Sequence, residues 1–226
     1  MSAARQLFEQ FRQDGFAMIE KAVNKKWQEH IHLDFKTPAT KTGALEKDDR
    51  RNYAEALSGF ANSDGGVIVW GVDCRPNRST KVDEAQSRSP IKNVDRFFSD
   101  LNTQLAGLVE PGVEGVEHHR INDADRPEDG YIITLVPKGE GLPHMAHGPD
   151  QHRYYQRIGA SFSPMQHFQL ADRFARRPQP KLEFAWKLPP PWTASGSGTT
   201  VYHFGLVMGI RNTGGGGSAI PCNLHT

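Results

Sequence analysis

The chain has 226 residues, 37% of them hydrophobic, with 27 Lys and Arg against 26 Asp and Glu for a net charge of +1. A balance this close to zero offers no overall field to a polyanion, so any nucleic-acid contact has to come from a local basic patch. Two distant cysteines, Cys74 and Cys222, exclude a disulfide scaffold and a Cys-rich zinc module, and no apolar run approaches the roughly 18 residues of a membrane helix. The first fifteen residues carry charges where a secretory signal needs its apolar stretch, and the expectation is a soluble cytoplasmic protein.

In chain order, residues 4–23 show a helical stripe (Leu7, Phe8, Phe11, Met18, Ile19, Val23) interrupted near Gly15. Residues 49–61 place Tyr53, Ala56, Leu57, Phe60 and Ala61 on one helix face, with Asp48 or Asp49 as cap and Asn62 to Gly66 as stop. Residues 67–72 form a short β-branched run that fits a buried strand. A helix is expected from a Ser89 cap with Pro90 in its first turn, burying Ile91, Val94, Phe98, Leu101, Leu105 and Leu108. Strands are expected over 113–121, 131–137 and 153–158. A closing helix is expected from Ser163 and Pro164, burying Phe168, Ala171 and Phe174.

Composition shifts near Arg177: residues 178–226 hold four charged side chains, a triple proline at 189–191 and the glycine run 214–217. The reading is an α+β domain over 1–177, a mixed sheet flanked by helices. The start of a truncated, sandwich-like all-β domain follows over 178–226, with strands at 181–186 and 201–210.

The chemistry concentrates in two segments. As a strand, residues 31–36 set Ile31, Leu33 and Phe35 on one face and His32, Asp34 and Lys36 on the other. Alone, Asp34 and Lys36 read as a surface ion pair, and His32 as a solvated histidine or an acid–base group. Glu29 joins the polar face only if the chain turns or bulges before the strand. Further on, Asn62-Ser63-Asp64-Gly65-Gly66 ends a helix with turn residues, and the following strand delivers Asp73 at its far end. No Gly-Lys-Ser/Thr follows, so this is no Walker loop. Cations flank both segments: Lys36, Lys41, Arg50 and Arg51, then Arg75, Arg78, Lys81 and Arg88. Arg153 and Arg157 bracket Tyr154 and Tyr155, an arrangement suited to phosphate contact and base stacking. Acids such as Asp83 and Glu84 interleave them, as on an ordinary solvated surface. His144, His147 and His152 lack a cysteine partner and regular spacing, so no zinc is assigned to them.

The order of these pieces is itself informative. Glu-x4-Asp-Phe-Lys is followed by a helix running into Phe-Ala-Asn-Ser-Asp-Gly-Gly-Val-Ile-Val-Trp-Gly-Val-Asp, then Pro143-His144 and Tyr154-Tyr155-Gln156-Arg157-Ile158-Gly159-Ala160-Ser161. Over roughly residues 20–177 this resembles the Schlafen AlbA-type domain family. The resemblance implies a nucleic-acid-binding α+β domain. In some members it implies a metal-dependent endoribonuclease acting on transfer RNA or other structured RNA. Carried over residue by residue, the acids are Glu29, Asp34 (where the family usually has Glu) and Asp73. They would hold Mg²⁺ or Mn²⁺, with Lys36 facing the scissile phosphate. The alternative is a non-catalytic DNA-, RNA- or ATP-binding regulatory module. Homo-oligomerisation stays open, and the C-terminal region is assigned the role of a sensor or protein-partner module.

Overall fold

The computed structural model describes all residues except 41, 78, 151, 176–181, 197 and 213–226. The chain divides into two compact units, Met1–Phe174 and Ala175–Thr226.

The first unit is α+β. Helix α1 (Ala3–Asp14) stops at Gly15, whose φ of 56° is open to glycine, and α2 (Phe16–Asn24) resumes in a new direction. Strand β1 (Leu33–Lys36) and helix α3 (Lys47–Ala61) follow, then β2 (Gly66–Trp70). Asp49 accepts from the Glu46 and Ala39 backbone N–H groups, so it fastens the first turn of α3 from inside the helix and is not itself the cap.

A hairpin missing from the sequence reading comes next, β3 (Val72–Pro76) with β4 (Asp83–Arg88). Its polar composition reads as a loop. Helix α4 (Val94–Leu108) starts at an Asn93 cap, later than expected, because Ile91 is drawn into a β-bridge with Gly130. The unit continues through β5 (Val109–Glu110), β6 (Glu117–Asn122), β7 (Gly130–Val136), β8 (Met145–Ala146), β9 (Arg153–Ile158) and β10 (Ser161–Pro164) to α5 (His167–Ala175). The expected Ser163 cap is wrong. Gly159, at φ 60°, turns the chain back so that 161–164 pair with β9, and the helix starts three residues after Pro164. Phe168 and Phe174, expected to be buried in it, are exposed.

The main sheet runs β1-β2-β7-β6, with β1 and β2 parallel and the other pairs antiparallel. Strand alternation sends Val67, Val69, Ile133 and Leu135 to one face, where Phe8, Phe11, Met18 and Ile19 of the first two helices cover them. Ile68, Trp70, Ile132 and Val136 go to the other face, against Tyr53, Leu57, Phe60, Phe97 and Leu101 of α3 and α4. Covering both faces explains the unbroken apolar runs of β2 and β7. Each fully buried aliphatic or Phe side chain contributes about 2–3 kcal/mol. A second sheet, β10-β9-β8-β5, packs on α3.

The second unit has strands β11 (Leu182–Lys187), β12 (Trp192–Gly196), β13 (Thr199–His203) and β14 (Val207–Asn212). They form two nested antiparallel pairs, β11 with β14 and β12 with β13. The single strand expected over 201–210 is therefore broken at 204–206. Phe184, Trp186, Met208 and Ile210 lie on one face of the outer pair and are exposed. The glycine run and Cys222 lie outside the described residues.

Candidate nucleic-acid interface and the buried acid cluster

Strand β1 carries Leu33 and Phe35 into the core on the α1–α2 side, so Asp34 and Lys36 point to the side of α3. The turn that Glu29 requires is present. His30 and Leu33 exchange backbone hydrogen bonds of 3.1 Å, and the fold-back brings Glu29 alongside β1, where its Oε1 accepts the Phe35 N–H at 3.0 Å. Glu29 and Asp34 therefore do come together, but not at a surface, with side-chain exposures of 6% and 1%.

Between them lies Arg157. Its Nη1 donates to Asp34 Oδ1 at 2.9 Å, and its Nη2 donates to the Leu33 carbonyl at 2.8 Å and the His30 carbonyl at 3.2 Å, and reaches Glu29 Oε2 at 3.5 Å. The Lys36 ammonium takes the other Asp34 oxygen at 2.6 Å. The guanidinium sits 4.3 Å from the Phe162 ring centroid and 5.4 Å from that of Phe60. Burial, and then the Asp34 charge, push the Glu29 carboxyl up to about 8, against the opposing pull of Lys36, the Phe35 N–H and Arg157. The Lys36 ammonium is held above its ordinary value; desolvation opposes this, but Asp34 and Glu29 outweigh it.

Asp73 does not join them. A bulge interrupts the ladder between Asp73 and Cys74. Cys74 packs against the core, and burial together with the charges of Glu29, Asp83 and Asp34 pushes its thiol up, as befits an unreactive thiol. The Asp73 carboxylate meets Arg75 Nε at 3.2 Å and the Thr37 hydroxyl at 3.5 Å. Among the described residues, no three or more His, Cys, Asp or Glu side chains are arranged to hold a metal ion. Both Glu29 oxygens and Asp34 Oδ1 accept N–H groups, and Asp34 Oδ2 has no hydrogen bond of good geometry but faces the Lys36 ammonium as an ion pair. With no third acid among the described residues beside them, the donor set present does not fit Mg²⁺ or Mn²⁺.

Two expected nucleic-acid contacts are also corrected. On β9 the alternation turns Tyr155 and Arg157 inward, and both are 7% exposed. Tyr155 belongs to the core under α3, out of reach of a base, and Arg157 serves the acids in place of a phosphate. Arg153, at the start of the same strand, is exposed. Arg51 is exposed on α3 and Arg50 is half-buried. Arg75 is exposed but ion-paired with Asp73. Lys41 and Arg78 lie outside the described residues.

Two residues escaped the sequence reading. Glu55, one turn after Arg51, is raised by burial and feels Lys36, Asp34, Arg51 and Arg157. Phe162 stacks over Arg157, its register partner across the β9–β10 pair. The i to i+4 spacing on α3 and the hairpin turn at Gly159 were the signals available for them.

The glycine-rich segment is structural. His144 N–H donates to Asn62 Oδ1, and Asn62 Nδ2 donates to the carbonyls of His144 and Tyr155, at 2.8–2.9 Å. Ser58 Oγ accepts the Tyr155 N–H, and Ser63 Oγ accepts that of Arg157. Asp64 pairs with Lys138. These side chains tie the end of α3 to β9 and to the residues entering β8, and so are already committed as far as a nucleotide is concerned. His32 lies outside the strand, with its Nδ1 2.9 Å from the Gly65 carbonyl. His144 Nδ1 meets the Pro111 carbonyl, and His147 meets Glu110. No described helix is long and apolar enough to cross a membrane.

Among solved structures, the chain is similar to the N-terminal domain of a putative ATP-dependent DNA helicase RecG-related protein from Nitrosomonas europaea. The two are 18% identical, over 74% of this chain and 97% of that one, with a TM-score of 0.37. No curated protein matches. The Schlafen AlbA_2 family model matches residues 29–166, more than half the chain and all of the segment that builds the acid cluster, and the chain belongs to that family.

Proposed function

We propose that the first unit is a nucleic-acid-binding module that grips the phosphate backbone with cations from α3 and β9. One observation carries this reading. Arg51 and Arg153 are both exposed and come from α3 and β9, elements a hundred residues apart in the chain. These elements pack against each other and are tied by the Tyr155 N–H to the Ser58 hydroxyl, so cations of separate origin stand on two joined elements. The acids beneath carry two cations of their own, Arg157 and Lys36, and so do not repel phosphate. Half-buried Arg50 and exposed Lys47, paired with Asp150, extend the same helix face. Family membership supports the same class of ligand. A metal-dependent ribonuclease is the weaker reading, because it requires Asp73 to share an ion with two acids that are already engaged.

The test is anisotropy of labelled single-stranded and duplex RNA and DNA at several salt concentrations. Binding should weaken steeply with salt. The Arg51→Ala/Arg153→Ala double variant should lower the log–log salt slope by about 0.7–0.9 for each phosphate no longer neutralised. No rise in anisotropy with any of the four probes at low salt, or a double variant that binds like the native chain, rejects the proposal.

A further inference from the structure

We infer that Arg157 is the resident cation of the Glu29–Asp34 pair, and that the pair fastens β9 to the open edge of β1 without ligating a metal. The argument starts from the backbone. In the parallel pairing of β1 with β2, the Val67 N–H bonds to the His32 carbonyl and the Gly71 N–H to the Lys36 carbonyl. The polar groups of Leu33 and Phe35 are then left on the outer edge of the sheet, where no described strand pairs with β1. A buried edge of this kind costs free energy unless every donor and acceptor is met.

Three of these four groups are met on that edge, two of them by side chains. The Phe35 N–H goes to Glu29, the Leu33 carbonyl receives Arg157, and the Leu33 N–H returns to His30. Glu29 and Arg157 together take the place of a neighbouring strand. Asp34 supplies the charge that allows a guanidinium with 1% side-chain exposure to remain there, and Phe60 and Phe162 exclude water from it. An ion in place of the guanidinium would leave Arg157, with 1% side-chain exposure, buried without its carboxylate. The inference is independent of whether the surface binds nucleic acid.

The experiment uses the whole chain, with MnCl₂ alone as probe, read by melting temperature and by the electron paramagnetic resonance of free Mn²⁺. The native chain should neither bind Mn²⁺ nor shift its melting temperature. Arg157→Lys keeps the charge but cannot serve Asp34, Leu33 and His30 at once, and should melt at least about 5 °C lower. In a cycle of Arg157→Gln and Asp34→Asn, the double variant should lose less stability than the two single losses added together. Mn²⁺ binding by the native chain that Asp34→Asn abolishes overturns the inference. So does an Arg157→Lys variant that melts like the native chain, or strict additivity in the cycle. Should Arg157→Gln fail to fold, the Mn²⁺ and Arg157→Lys measurements decide by themselves.

Discussion

Asn62 and His144 are joined reciprocally across 82 residues, the His144 N–H donating to the Asn62 carboxamide oxygen and the Asn62 amide nitrogen donating to the His144 carbonyl, both at 2.8 Å. A primary amide presents one acceptor and two donors in a plane, as a strand neighbour does, and the second donor reaches the Tyr155 carbonyl. Asn62→Asp keeps the shape but points a carboxylate at two carbonyl oxygens. The expected loss is about 3 kcal/mol or more, read as a lower urea midpoint with an unchanged slope. Asn62→Ala should cost less than Asn62→Asp, since it leaves unmet partners without adding a repelling charge.

The sheet and its helices were legible because their signals are local. The stripe of Tyr53, Leu57 and Phe60 and the β-branched run from Val67 to Val69 each declare their period within one element. The Glu29 fold-back was legible only as a geometric condition. The β3–β4 hairpin was hidden because Asp83, Glu84 and Gln86 satisfy neighbouring polar groups without forming an apolar alternation. Glu84, for example, accepts from Asn77 and Gln86. Arg157 was misplaced for a different reason. An arginine is assigned to the surface by composition, and only its pairing with Asp34, 123 residues away in sequence, makes its burial possible.

Asp34 and Glu29 should respond differently to neutralisation. Asp34→Asn removes the carboxylate that faces both Arg157 and Lys36, and is expected to cost about 3–5 kcal/mol. Glu29 has its folded value raised to about 8, so it keeps near neutrality a proton that the unfolded chain has released. Glu29→Gln should cost about 1 kcal/mol or less below pH 4.5 and gain on the native chain from there upward. The sign follows from the folded state binding this proton more tightly than the unfolded chain. The contribution is full below the unfolded value near 4.5 and is lost as pH rises through about 8. Urea titrations at pH 6 and pH 9 should show the native chain losing ground to Glu29→Gln at the higher pH.

Gly66 is required by close packing. A Cβ there would lie 2.1 Å from Phe60 Cε1, and Phe60 is fully buried, so its ring cannot move outward. Gly66→Ala is expected to cost about 1–3 kcal/mol through overpacking. Gly141 has open space around the same position, so Gly141→Ala should stay within about 0.5 kcal/mol. Melting temperatures of the two variants against the native chain provide the comparison.

His118 gives the fold an acid limit. Its ring lies between the Tyr53 hydroxyl at 3.2 Å, from α3, and the Thr134 hydroxyl at 2.9 Å, from β7, with the Phe98 ring of α4 edge-on at 6.1 Å. Thr134 already accepts from the Trp70 indole at 3.3 Å. No carboxylate is among these partners, and burial lowers the imidazole from 6.5 to about 4. The unfolded chain therefore takes up this proton first as pH falls, and stability declines from about pH 6.5 to about pH 4, by an amount on the order of 3 kcal/mol. His30 and His119 are also lowered by burial and add to the same slope, so the diagnostic quantity is a difference between proteins. His118→Gln, which can still bond both hydroxyls and cannot be protonated, should flatten the stability curve between pH 6.5 and pH 4. A variant whose curve runs parallel to the native one would mean that His118 is already charged in the folded protein.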